Sequence, residues 1–148
     1  MTTIQAAINR ILSMAFFFAI AISPICAQKE SAKLKKEDSS VCDELGKAPK
    51  KAAARRNPLE NDPEAVEAGA NLFALHCAEC HGVAAEGGRK APSLRADPVR
   101  RASPGTLFWI LTNGVVRRGM PVWSKLPEPQ RWQIVSYLKS LPAAEPSK

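Results

Sequence analysis

Residues 77 to 81 read Cys-Ala-Glu-Cys-His, and this C-x-x-C-H pentad constrains the chain more than any other feature. Residues three apart at a helix end lie on one face, so the Cys77 and Cys80 thiols can add across the two vinyl groups of a haem as thioethers. His81 then falls beneath the ring, where its Nε2 can bind the iron. Three other readings use the same residues. A redox C-x-x-C of thioredoxin type belongs on a βαβ framework, and nothing here alternates convincingly as a strand. A structural zinc site wants four ligands, and Cys77, Cys80, His81 and the adjacent His76 are too compressed for its usual spacing. A fortuitous pentad is the third.

The rest of the chain narrows the choice. A weakly positive start, an apolar run from Ile11 to Ile22 and a Ser-Pro-Ile-Cys-Ala stretch have the layout of a secretory signal peptide over residues 1–27, cut after Ala27. An uncleaved membrane anchor is the rival, although the run is short for a span; lipidation at Cys26 is disfavoured by the bulky Ile25 before it. Cleavage would leave Cys42, Cys77 and Cys80, three thiols that cannot close a disulfide framework among themselves. Export also suits the haem reading, because haem is joined to exported apoproteins outside the cytoplasm.

The formal net charge is +7, and residues 28–56 hold nine Lys/Arg against five Asp/Glu. This stretch has no aromatic residue and no sustained apolar periodicity, so residues 28–60 are predicted to be a charged, disordered linker. No aromatic or helical readout element accompanies the lysines, which argues against a nucleic-acid partner. Cys42, within the linker, reads as an incidental exposed thiol, or as a tether or intermolecular disulfide.

The ordered domain is predicted over residues 61–142, followed by a disordered tail, 143–148. One helix starts at the Asp62 cap with Pro63 in its first turn and runs into the pentad. A second is capped by Ser103 and stopped by Gly114, and a third starts around Pro129 and ends before Pro142. Ile134, Val135, Leu138 and Leu141 give the third its apolar stripe. The fold class is therefore all-α with long loops. A domain of this size buries too little apolar surface to be comfortably stable, so a cofactor is expected to complete its core.

A second iron ligand must come from the opposite face of the ring. His76 adjoins Cys77 on the proximal side and cannot supply it. Met1 and Met14 lie in the signal segment, which leaves Met120, between Gly119 and Pro121, as the one thioether available; the alternative for a lone Met is core filling. Trp109, Trp123 and Trp132 read as core or pocket aromatics, and Trp109 or Trp123 could donate its indole N–H to a haem propionate. Arg117 and Arg118 are either a solvated pair or a charge that offsets the propionates or steers an acidic partner.

At Gly69, Phe73, CAECHG (77–82), APSL (91–94), GMP (119–121) and Tyr137, the sequence resembles the class I c-type cytochromes, small monohaem electron carriers. The resemblance implies the small cytochrome c fold, three main helices with long loops around one covalent haem c. It implies that Gly69 and Phe73 pack on Tyr137 where the first and last helices cross. Pro92 would accept the His81 Nδ1–H through its carbonyl, and Leu94 would line the haem pocket. The WILTNG and GMPVW segments are similar to those of cytochromes serving periplasmic quinoprotein dehydrogenases.

The reading is a periplasmic one-electron carrier, not an enzyme, with haem c on Cys77 and Cys80 and iron held by His81 and Met120. Its expected partners are a dehydrogenase donor and a terminal oxidase or reductase acceptor. Membrane contact is expected only through an uncleaved signal or the basic linker. The alternatives are a haem subunit permanently bound to a dehydrogenase and a peroxidase-like enzyme with an open distal site.

Overall fold

A computed structural model describes residues 24–144. The expected signal peptide lies outside the described residues up to position 23. Helix α1 spans Pro24–Leu45, α2 Lys50–Ala53, α3 Pro63–His76, α4 Ala78–His81, α5 Asp97–Arg101, α6 Pro104–Asn113 and α7 Glu128–Ser140. A 3₁₀ turn occupies Val116–Arg118. Among the described residues there is no strand, only an isolated bridge between Val115 and Met120, and no helix is long and apolar enough to cross a membrane.

Two of the three main helices start where their caps predict. The Asp62 carboxylate accepts the N–H groups of Glu64 at 3.0 Å and Ala65 at 3.2 Å, satisfying two donors at the start of α3. Ser103 Oγ accepts the Thr106 N–H at 3.2 Å and opens α6, which stops at Gly114. The start of α7 has no side-chain cap and follows Pro127.

α3 and α7 cross at Gly69. A Cβ there would lie 2.0 Å from the Gln133 carbonyl oxygen and 2.9 Å from Tyr137 Cβ, so only hydrogen lets the backbones approach this closely. One turn on, the Phe73 and Tyr137 rings meet at 5.2 Å. On the other side of α7, Trp132 stacks on Phe108 of α6 at 4.0 Å. Buried Arg131 lies 4.6 Å from the Phe108 ring, donates Nε to the Leu126 carbonyl at 3.1 Å, and bonds Thr112 Oγ1 through Nη1. Phe73, Trp132, Ile134 and Val135 are the largest fully buried side chains and sit where these three helices meet.

The segment 28–60 differs from the disordered linker that its composition predicts, since it carries most of α1 and all of α2. Its C-terminal part is docked by polar contacts. Asn57, 6% exposed, donates Nδ2 to Ser136 Oγ at 2.8 Å, and Ser136 Oγ donates to the Leu59 carbonyl at 3.2 Å. Ser103 Oγ donates to the Ala53 carbonyl at 2.7 Å, and Arg55 meets Glu128 at 2.5 Å. Hydrophobic periodicity cannot reveal a segment held this way, because its anchors are carbonyls and polar side chains. At the other end, Arg95 donates to the carbonyls of Pro142 at 3.2 Å and Ala143 at 2.8 Å, fixing the first residues of the expected tail; residues 145–148 lie outside the described ones.

Candidate functional site

The pentad sits at a break between two helices. Cys77 closes α3 by donating its N–H to the Phe73 carbonyl at 2.8 Å, and its own carbonyl accepts from His81 N at 3.0 Å, starting α4. That single turn ends at Gly82. Cys77, Cys80, His81, Pro92, Leu94 and Met120 all line one cavity of about 810 Å³, whose wall is mainly apolar. This is the size range of cofactor clefts, roughly 300–1,000 Å³.

His81 is oriented by the loop that follows it. Nδ1 lies 3.0 Å from the Pro92 carbonyl. A carbonyl only accepts, so Nδ1 carries the proton and Nε2 keeps a free lone pair. Burial holds the imidazole pKa below its ordinary value and so favours the neutral ring, partly opposed by the Pro92 bond. The loop itself is tightly folded. Leu94 N donates to the Ala85 carbonyl at 2.9 Å, and Gly87 N to the His81 carbonyl at 2.7 Å. Gly87 has φ +81, and a Cβ there would meet Ser93 N at 2.4 Å and the Pro92 carbonyl carbon at 2.7 Å. Gly87 and fully buried Ala85 thus place the Pro92 carbonyl, and sequence reasoning missed both; the Gly87-Gly88 pair after the pentad is the signal that marks them.

Met120 sits on a closed loop. Val115 and Met120 exchange main-chain hydrogen bonds of 3.0 and 3.2 Å, and the 3₁₀ turn lies between them. Met120 is half-buried and packs against the core. Trp123 lines the cavity and its ring lies 5.3 Å from His76, which lines it too. The structure separates the other aromatics: Trp132 is core, and Trp109 is not among the lining residues. Arg118 lines the cavity, whereas Arg117 is exposed and outside the lining.

The thiols are free, Cys77 half-buried and Cys80 exposed. Burial, reinforced by Cys80, pushes the Cys77 thiol up to about 11. Two thiols, one neutral imidazole with a free Nε2 and one thioether around an apolar cavity of this volume fit a thioether-linked haem. They do not fit a closed zinc site, and among the described residues no group of three metal-binding His, Cys, Asp or Glu side chains gathers anywhere.

Similarity to known proteins identifies the family. Residues 64–138, half of the chain, match the family described as cytochrome c oxidase, cbb3-type, subunit III. Over 108 residues the chain is 32% identical to cytochrome c550 of Pseudomonas aeruginosa, an alignment spanning 70% of this chain and 74% of that protein. The chain belongs to the cytochrome c family.

Covalently bound haem c with iron is the family's cofactor and electron transfer its role. Among solved structures, cytochrome CL of the methylotroph Methylophaga aminisulfidivorans superposes with a TM-score of 0.53 at 27% identity, covering 59% of each chain. A quinohemoprotein alcohol dehydrogenase of Pseudomonas putida, ADH-IIG, is 34% identical over 92 residues, 62% of this chain. The chain spans only 12% of that enzyme's length. The all-α cytochrome c fold expected from the sequence is the fold observed.

Proposed function

We propose that this cytochrome is a one-electron carrier with a single haem c, attached through Cys77 and Cys80 and ligated by His81 and Met120. It works outside the cytoplasm between a dehydrogenase and an oxidase or reductase. The observation that carries the reading is that all four side chains, from two segments far apart in sequence, line one cavity. When bound, the haem supplies a one-electron Fe(II)/Fe(III) couple.

The chain's residues do the rest. Pro92 holds the proton on His81 Nδ1, so the imidazole presents Nε2 in one orientation, and the bond raises its basicity. Met120 supplies a soft sulfur, which raises the potential relative to a second imidazole. Leu94, Leu107, Leu111 and Ile134 exclude water from the cavity, which limits reorganisation when charge changes. Similarity to part of a quinohemoprotein dehydrogenase supports a dehydrogenase as donor, and equally supports the second reading, a haem subunit held on such an enzyme. Size exclusion of the native extract separates the two, since a free carrier elutes near its own mass of 16.0 kDa, or less after processing.

The deciding experiment is the visible spectrum of protein made with a haem-maturation system. A c-type spectrum is expected, with a weak red iron–sulfur charge-transfer band that disappears in Met120→Ala. Retention of that band in the variant overturns Met120 ligation, and a haem that is extractable by acidified solvent from wild type overturns attachment through Cys77 and Cys80.

A further inference from the structure

Helix α1 contributes one whole face to the cavity. Residues 33, 37, 40, 41, 44 and 45 recur at helical spacing and line it together with His81 and Met120. Val41 and Leu45 pack on the core. The polar members of the face do something more specific. Arg118 donates Nε to Glu44 Oε1 at 3.1 Å and Nη1 to Ser40 Oγ at 2.5 Å. Glu44 also accepts from Lys47 Nζ at 2.6 Å, and its side chain is only 18% exposed. Arg118 is the last residue of the 3₁₀ turn and stands two positions before Met120, inside the loop closed by Val115 and Met120. The helix is therefore fastened to the segment that carries the thioether.

We propose that α1 from Lys33 to Leu45 is a strap over the cavity, and that Glu44, with Ser40, is a positioning residue that holds the Met120 loop closed through Arg118. The inference rests on Met120 being a ligand. An external ligand can replace Met120 only after the loop swings away, so its apparent affinity scales with the population of the open loop. Loosening the latch raises that population and tightens external binding by the same factor. Removing Glu44 breaks one charge-assisted hydrogen bond whose acceptor is shielded and whose donor is half-exposed, which sets the expected factor at about three- to tenfold.

The test is an imidazole titration of the oxidised holoprotein, followed by loss of the red charge-transfer band. Imidazole should bind about three- to tenfold more tightly to Glu44→Ala than to wild type. Glu44→Gln, which keeps an acceptor but not the charge, should fall between the two and also guards against misfolding of the Ala variant. Glu128→Gln removes a comparable ion pair, that with Arg55, away from this loop and should leave the affinity unchanged. Wild-type affinity in both Glu44 variants overturns the latch, as does equal tightening in Glu128→Gln, which would mean general loosening. A wild type without the red band, seen before any imidazole is added, overturns Met120 ligation itself.

Discussion

At the scale of single residues, the site depends on main-chain groups that the sequence does not advertise. The Pro92 carbonyl fixes the tautomer of His81, and Gly87 fixes the carbonyl. Gly87→Ala places a methyl group into the 92–93 backbone at a positive φ, adding left-handed strain of about 1–2 kcal/mol to overpacking of about 1–3 kcal/mol. Gly88, next in the chain, has open space around its Cβ position. The unfolding free energy from urea titration should therefore drop sharply in Gly87→Ala and stay within about 0.5 kcal/mol of wild type in Gly88→Ala. The four proposed cofactor side chains were legible because side-chain chemistry is written in residue type and spacing. Ala85 and Gly87 were not, because their contribution is backbone geometry, for which Gly87-Gly88 is only a hint.

At the scale of helices, the crossing of α3 and α7 is the joint most sensitive to volume. At Gly69 the obstacle is the Gln133 main-chain carbonyl, which cannot rotate out of the way. Gly69→Ala gains about 1 kcal/mol of helix propensity and loses more to the forced separation of the two backbones. A net destabilisation of about 2 kcal/mol or more is expected from chemical unfolding, and a net stabilisation would contradict the crossing. α3 and α6 were readable because Asp62, Ser103 and Gly114 mark their ends, and α7 because Ile134, Val135 and Leu138 mark its inner face. α1 was not. Its inner face between 33 and 45 is Lys, Glu, Ser, Val, Glu and Leu, a mixture that suits a cavity wall and an arginine partner but carries almost no apolar period. α2 is too short for any periodicity and is held by carbonyls, which every sequence possesses.

At the scale of the whole molecule, ion pairs join segments far apart in sequence, and acid should undo them. Glu128 tethers the 50–57 segment to α7 through Arg55 and also accepts from Trp132 Nε1 at 3.3 Å. The Arg55 bond, then the Trp132 bond, hold its pKa below the ordinary 4.5. A carboxyl whose folded pKa is depressed binds protons more weakly folded than unfolded, so its contribution is complete above the unfolded value. That contribution is lost as pH falls through the folded value, so the window opens near pH 4.5 and extends below it. Because the carboxylate is exposed, the effect is small and screened by salt. The thermal midpoint of Glu128→Gln should lie slightly below wild type at pH 7 and converge with it as pH falls below that window. Added salt at pH 7 should narrow the gap in the same direction. Parallel curves across the whole range would mean that Glu128 acts through packing on Trp132 and not through its charge, and the 50–57 segment would then be held by Asn57, Ser103 and Ser136 and by the Arg55 guanidinium over the Phe108 and Trp132 rings.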